Sequence, residues 1–407
     1  MRPSRRNGNR LIVWSAMFVA LTSCASRNHP RSTQAPSSSA PLAPHTTWRP
    51  LHKGYADLST GVYIREDDDL VVPTPFPIVL RRTYNSGDGH SRQFGIDATH
   101  PGEWWLHGDN DPRVPWAELI LADGGRIRFT RISPGDTRDG AVLTHNSTPT
   151  EFNGALLSWT GSTWQLRLRD GSTASFMDCD GQAQICSLIE SRDPDGHTIT
   201  FTRDASGLLL RMESEGQSIA FDYDDQKRII RAYATSQNDV RYDYDDAGRL
   251  IRAAMSDGTV RRYAYDSRNY LVRIEEPGRI VENRFDESGR WAYQTVKDSE
   301  NDPDPYVATA RYVVENGVVV ETDFDEGDGL EVSRYNAHGY IVSETLFANS
   351  STPVTFRYLL DSSSNAASGA AMSCTSQQGP VTRDVRLTVH DDTAKALAIR
   401  ANCVLRR

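Results

Sequence analysis

Clustered carboxylates are the first groups in this chain that could do chemistry: Glu66-Asp67-Asp68-Asp69, Asp222 to Asp225, Asp243 to Asp246, and Asp323 to Asp328. A carboxylate pair can cleave a glycosidic bond, one group acting as acid and the other as base or nucleophile. A denser set can ligate calcium. The bland alternative is turn residues and a solvated face, and it explains why the pairs at 222–225 and 243–246 lie one repeat apart. The run Asp323-Phe-Asp325-Glu-Gly327-Asp-Gly329 starts like a calcium loop, but Gly327 stands at the third ligand position and Arg334 at the twelfth. The ten histidines form no His-Glu-x-x-His pair, no serine sits in a Gly-x-Ser-x-Gly elbow, and no phosphate-cradling glycine loop occurs. The sequence therefore assigns no catalytic residue, no metal and no cofactor, and the chain is expected not to be an enzyme.

Tryptophan and cysteine offer other chemistry. Trp104, Trp105, Trp159 and Trp164, with His100 and His107 nearby, could stack against a sugar. Core packing is the competing fate of tryptophan in strands, and exposure of the four rings in a row would decide between them. The net charge of −9 argues against nucleic acid as a partner.

The N-terminus carries a basic head (Arg2, Arg5, Arg6, Arg10) and an apolar run from Leu11 to Leu21 broken only by Ser15. That run is shorter than the roughly 17–25 residues a membrane span needs, and it has the form of a secretory signal peptide. Leu21-Thr22-Ser23-Cys24 resembles the lipobox of bacterial lipoproteins. The resemblance implies that residues 1–23 are removed, that Cys24 takes up lipid such as palmitate, and, with Ala25 next, that the product goes to the outer membrane, facing the periplasm or the cell surface. Each buried methylene contributes about 0.8 kcal/mol to such an anchor. Residues 24–50, rich in Ser and Pro, cannot bury enough apolar surface to order themselves and read as a tether. Of the five cysteines, Cys179, Cys186, Cys374 and Cys403 then remain. An oxidising compartment favours pairing, with three connectivities open. Proximity favours Cys179–Cys186 and Cys374–Cys403.

The elements that must position these groups are strands. Helical periodicity is nearly absent before residue 390, and Asp123-Gly124, Asp170-Gly171, Asp195-Gly196 and Asp257-Gly258 are hairpin turn signals. The expected fold is all-β. Within it a motif recurs: an aromatic, then Asp, then a turn residue three positions on. The anchors Asp204, Asp224, Asp245, Asp266 and Asp286 are 20, 21, 21 and 20 residues apart. The Asp can cap its own turn, and Gly207, Gly248 and Gly289 suit a left-handed position. Asn269 tolerates it, whereas Lys227 predicts strain or a different turn. A later, outlying copy ends at Asn336 and Gly339. One such hairpin cannot hide its apolar face alone and must stack on its neighbours.

Tyr244-Asp-Asp-Ala-Gly-Arg-Leu250 resembles the YD repeat of rearrangement-hotspot (Rhs) proteins. Asp57-Leu-Ser-Thr-Gly61-Val-Tyr-Ile-Arg-Glu-Asp67 and Pro75-Phe-Pro77-Ile-Val-Leu-Arg-Arg-Thr-Tyr84-Asn-Ser86 resemble the N-terminal domain of the same family. The resemblance covers about residues 55–345. It implies stacked antiparallel hairpins; the proline-rich processing motif and toxin domain of large members find no counterpart, so a truncated form is expected. About 20 strands at ~4.8 Å would enclose a wall ~31 Å across, too narrow for a folded domain of ~34 Å.

Residues 361–370 read as a linker and the tail as a small disulfide-linked α+β unit, with a strand from Val381 to His390 and a helix from Asp392. The expected organisation is a signal peptide (1–23), tether (24–50), N-terminal β domain (51–175), YD-repeat sheet (176–360) and C-terminal unit (361–407). The expected function is a non-enzymatic, lipid-anchored envelope scaffold that binds a glycan or another envelope protein. The alternatives are a carbohydrate-binding module, and an accessory or immunity partner of a toxin-bearing Rhs protein.

Overall fold

The computed structural model describes residues 56–360, 370–376 and 385–387, except 109–112, 123–124, 147–151, 179–184, 236–237, 328, 337–340 and 352. Cys24 and the tether lie outside these residues. Every described element is a strand except one short 3-10 turn, Pro101–Glu103.

The N-terminal residues form a small sheet, β1 (Ala56–Asp57), β2 (Val62–Val72), β3 (Ile78–Asn85) and β6 (Ala98–Thr99), beside a two-stranded ribbon, β4 (Ser91–Arg92) and β5 (Gly95–Ile96). Next come β7 (Trp105–Gly108), β8 (Trp116–Ile120), β9 (Arg126–Arg131), β10 (Val142–His145), β11 (Ala155–Trp159), β12 (Trp164–Arg167), β13 (Thr173–Phe176) and β14 (Ile185–Arg192). These eight pair in sequence order, and the ring closes because the first half of β14 pairs with β7, Ser187 opposite Trp105. The second half of β14 pairs instead with β15 (Thr198–Arg203), so the same sheet continues into the repeats. Among the described residues, 25 strands share one sheet, which closes on itself where β14 pairs with β7. That exceeds the expected count of about 20, because the strands Tyr306–Glu315, Val318–Asp325, Val354–Leu360, Ala370–Ser376 and Val385–Leu387 carry no recognisable motif.

Five hairpins follow: β15 with β16 (Leu209–Ser214), β17 (Gln217–Tyr223) with β18 (Ile229–Ala234), β19 (Asp239–Tyr244) with β20 (Leu250–Met255), β21 (Val260–Tyr265) with β22 (Leu271–Glu276), and β23 (Arg279–Phe285) with β24 (Trp291–Lys297). Their turns obey the expected chemistry. Asp204, Asp245 and Asp286 each accept from the amide four residues on, at 2.8–2.9 Å. Gly207, Gly248 and Gly289 have φ between +82° and +86°. Lys227 occupies the same position with φ +63°, and its amide donates to Asp224 O at 2.9 Å. The turn is therefore the same one, held in a region that costs a side-chain-bearing residue about 1–2 kcal/mol.

A feature not legible in the sequence is a β-bulge in every repeat. The register shifts just before the aromatic, so that Tyr244 faces Leu250 while Asp243 faces Arg252. Equivalent shifts fall at Arg203, Tyr223, Tyr265, Phe285 and Tyr335. The bulge skips the second residue of each return strand, and the ladder to the next hairpin begins only at Arg211, Arg231, Arg252 and Arg273, so the first residue of each return strand is unpaired on that side. The motif tyrosine supplies a partner. Tyr223, Tyr244 and Tyr265 donate their hydroxyls to the carbonyls of Leu209, Ile229 and Leu250 at 2.5, 2.6 and 2.8 Å. Phe285 has no hydroxyl, and Asn283 Nδ2 covers Leu271 O at 3.1 Å in its place. Successive repeats also stack: Arg228 lies 4.5 Å over the Tyr244 ring, Arg249 5.3 Å over Tyr265, and Tyr270 stacks on Phe285 at 4.5 Å.

The described part of the tail is not a separate unit. β29 (Val354–Leu360), following β25 (Tyr306–Glu315), β26 (Val318–Asp325), β27 (Glu331–Tyr335) and β28 (Ile341–Leu346), pairs with β30 (Ala370–Ser376), which pairs with β31 (Val385–Leu387). The expected linker thus ends in a strand whose Cys374 stands opposite Phe356. Backbone pairing, which composition does not report, extends the sheet. The helix expected from Asp392, and Cys403, lie outside the described residues.

Candidate functional site

The N-terminal strands cross the repeats and bond to them one after another. Ile229 N–H donates to Gln93 O at 2.7 Å, Ile96 N–H to Gly248 O at 3.1 Å, and Trp291 N–H to Gly61 O at 2.8 Å. Leu271 N–H donates to the Tyr84 hydroxyl at 3.1 Å, and that hydroxyl donates to Asn269 O at 3.2 Å. Thr322 Oγ1 donates to Leu58 O at 2.6 Å, and the Arg203 guanidinium donates to Gly102 O. From Leu58 to Gly102 the contacts run from the latest strands back to the first repeat, with one exchange, Gln93 meeting Ile229 and Ile96 meeting Gly248. At Ile229, Leu271 and Trp291 they satisfy amides that the ladder to the next strand does not reach. Gly95 shows how close the approach is, since a Cβ there would lie 2.4 Å from Gly248 O.

A charge network sits at the centre of this seam. In β2, Asp67 and Asp69 are buried in the seam while Asp68 is exposed, and a bulge at Asp69 lets Leu70 be buried as well. The expected solvated acidic face at 66–69 is corrected here: the period of two in a strand sends alternate acids inward. Arg82 Nε meets Asp69 Oδ2 at 3.0 Å, and Arg82 Nη2 meets Asp67 Oδ2 at 3.2 Å and the Tyr263 hydroxyl at 2.5 Å. Tyr242 Oη donates to Asp69 Oδ2 at 2.9 Å, and Arg261 Nη1 lies 2.9 Å from Asp69 Oδ1. Arg65 Nε donates to Asp67 at 2.9 Å and its Nη2 pairs with Glu276. Burial pushes the Asp67 carboxyl up, but Arg82 and Arg65 outweigh it and hold it at about 2. Burial keeps the Asp69 carboxyl above its ordinary range. Three guanidiniums thus face three carboxylates, which is how buried charges become tolerable. The network fixes the β2–β3 hairpin against β19 and β21.

The other expected site residues are placed as follows. Trp104, Trp159 and Trp164 are buried and Trp105 half-buried. Trp104 packs near Phe152, Trp159 and Trp164 pack on each other at 5.4 Å, and Arg138 covers the Trp159 ring at 3.9 Å. The exposed row needed for sugar stacking is not formed by these four, because the eight-stranded ring takes their rings as its core. Asp323 and Asp325 lie in β26, a strand rather than a loop. Cys186 is disulfide-bonded. Cys179 lies outside the described residues. Asp193, Asp195 and His197, which the sequence presents only as a hairpin turn, bring ligand atoms within 4.8 Å of one another. An Asp193–His197 ion pair of 2.9 Å already accounts for that grouping.

Residues 172–301 match the Teneurin YD-shell family model, and residues 56–129 match a domain of unknown function, DUF6531. These two matches support a YD/Rhs-type reading of the stretches they cover. The boundary between the two matched stretches falls within the eight-stranded ring. No curated protein matches the chain. Among solved structures it is similar to TcdB2-TccC3-TEV, at 11% identity over 77% of this chain and 22% of that one, TM-score 0.34. It is also similar to the Photorhabdus luminescens Tc holotoxin pore, at 12% identity over 80% of this chain and 24% of that one, TM-score 0.26. The chain therefore spans under a quarter of the length of these two structures.

Proposed function

We propose that this chain is a non-enzymatic, lipid-anchored scaffold of the cell envelope that presents the uncovered face of its repeat sheet to a partner. The observation that carries this reading is the seam. The N-terminal strands occupy one face of the repeats, so the other face is what the repeats offer outward. There the bulge residues Leu210, Ile230 and Ile251 stand 36–40% exposed. Arg211, Arg231 and Arg252 follow them in sequence. The rows recur every two strands, about 10 Å. Each arginine is paired with a carboxylate, Glu213, Asp239 or Asp243, and such a row of apolar groups and ion pairs suits a protein or glycan of the envelope better than a small substrate.

The anchor is tested by Cys24→Ser, which should release the protein from membranes; persistence in the membrane fraction, with no uptake of labelled palmitate by the wild type, overturns it. The surface is tested by Ile230→Glu with Ile251→Glu, which should abolish retention of an envelope partner without lowering the melting temperature. The non-enzymatic reading is tested by exporting the chain in a host cell. Growth should be unchanged, and arrest that disappears with His390→Ala would establish an effector.

A further inference from the structure

Glu103 closes the 3-10 turn at the point where the N-terminal segment meets the first two repeats. Its Oε1 accepts from Gln93 N–H at 3.2 Å, while its Oε2 is sealed from solvent with no hydrogen-bond partner. The groups facing it are committed elsewhere. Arg92 is spent on Asp88, at 2.8 and 2.9 Å. Arg203, from β15, donates to Leu188 O at 3.1 Å, to Gly207 O at 3.0 Å and to Gly102 O. Tyr223, from β17, donates to Leu209 O. His100 accepts from Gly102 N–H on Nδ1 at 3.2 Å, so its proton sits on Nε2, which donates to Gln93 Oε1 at 3.0 Å. Burial pushes this imidazole down to about 3, so it stays neutral and cannot serve as a counter-ion. A carboxylate sealed in with backbone donors alone and no counter-ion in contact is costly, and the neutral acid costs less.

We propose that the Glu103 carboxyl is a proton-controlled latch, which seats residues 88–104 on the first two repeats when protonated and loosens that seat when ionised. Burial, opposed by Arg92, lifts this carboxyl to about 7. A carboxyl raised in the folded state adds stability at low pH and loses it as pH climbs from the ordinary glutamate range through the folded value. The seat weakens in that window because Gln93 ties Glu103 and His100 to Ile229 and Tyr223.

The test is hydrogen exchange on the full chain at about pH 5.5 and about pH 8.5, corrected for intrinsic rates. Peptides covering 88–104 and the amide of Ile229 should lose at least about tenfold protection on going to the higher pH, and Glu103→Gln should abolish the difference. An equal loss in Glu103→Gln, or none in the wild type, overturns the latch. Should Glu103→Gln fail to fold, carbon-13 NMR of the wild-type carboxyl, identified by its contact with the Gln93 amide, decides. Titration near neutrality supports the latch, and ionisation complete by about pH 5.5 overturns it.

Discussion

Ile229 donates its amide to the carbonyl of Gln93 at 2.7 Å, across 136 positions of sequence. The same Gln93 accepts on its side chain from His100 at 3.0 Å and contacts the Tyr223 hydroxyl at 3.0 Å. One residue thereby joins the N-terminal segment to two strands of one repeat. Gln93→Ala leaves the backbone contact in place but orphans the buried imidazole N–H, so it should cost about 1–3 kcal/mol. Urea unfolding with an unchanged midpoint would show that Gln93 is not a hub.

The repeat turns make opposite demands at two equivalent positions. Gly248 has φ +83° and Lys227 has φ +63°. Gly248→Val should destabilise by about 1–3 kcal/mol through backbone strain. Lys227→Gly should be neutral or stabilising by up to about 1 kcal/mol. Thermal melts of both variants check the pair, and equal melting temperatures would refute the shared turn.

Tyrosine in the motif is explained by its hydroxyl. Tyr265→Phe removes the donor to Leu250 O and should cost about 1 kcal/mol. Phe285→Tyr should bring no gain, because Asn283 already serves Leu271 O. Asn283→Ala should cost more than Tyr265→Phe, since Asn283 Oδ1 also accepts from Trp291 at 3.2 Å and Gln294 at 2.9 Å. Chemical denaturation of the three variants ranks them, and a stabilised Phe285→Tyr would count against the ladder.

The Asp67 carboxyl, held at about 2, contributes stability above the ordinary aspartate range and loses it as pH falls through the folded value. The stabilisation should be about 2 kcal/mol. Asp67→Asn should flatten that acid limb between about pH 4 and pH 2. Stability curves of wild type and variant that run parallel there would exclude Asp67 as the titrating group.

The sequence by itself determined the repeat: its period, the capping Asp, the left-handed position after it, and the all-β class. These are local facts, since a turn needs only its own few residues and a strand pattern only its own period. Tertiary structure decided what those hairpins are built around. In sequence Asp69 is one acid in a solvated run, because its partners Tyr242 and Arg261 lie 173 and 192 residues away. Trp159 and Trp164 read as free to stack on sugar, because nothing local says that their strands close into a ring. The short ladders between hairpins, too, acquire a reason only when the N-terminal segment arrives. An amide released from its ladder must find an acceptor, and at Ile229 and Trp291 that acceptor comes from the far end of the chain.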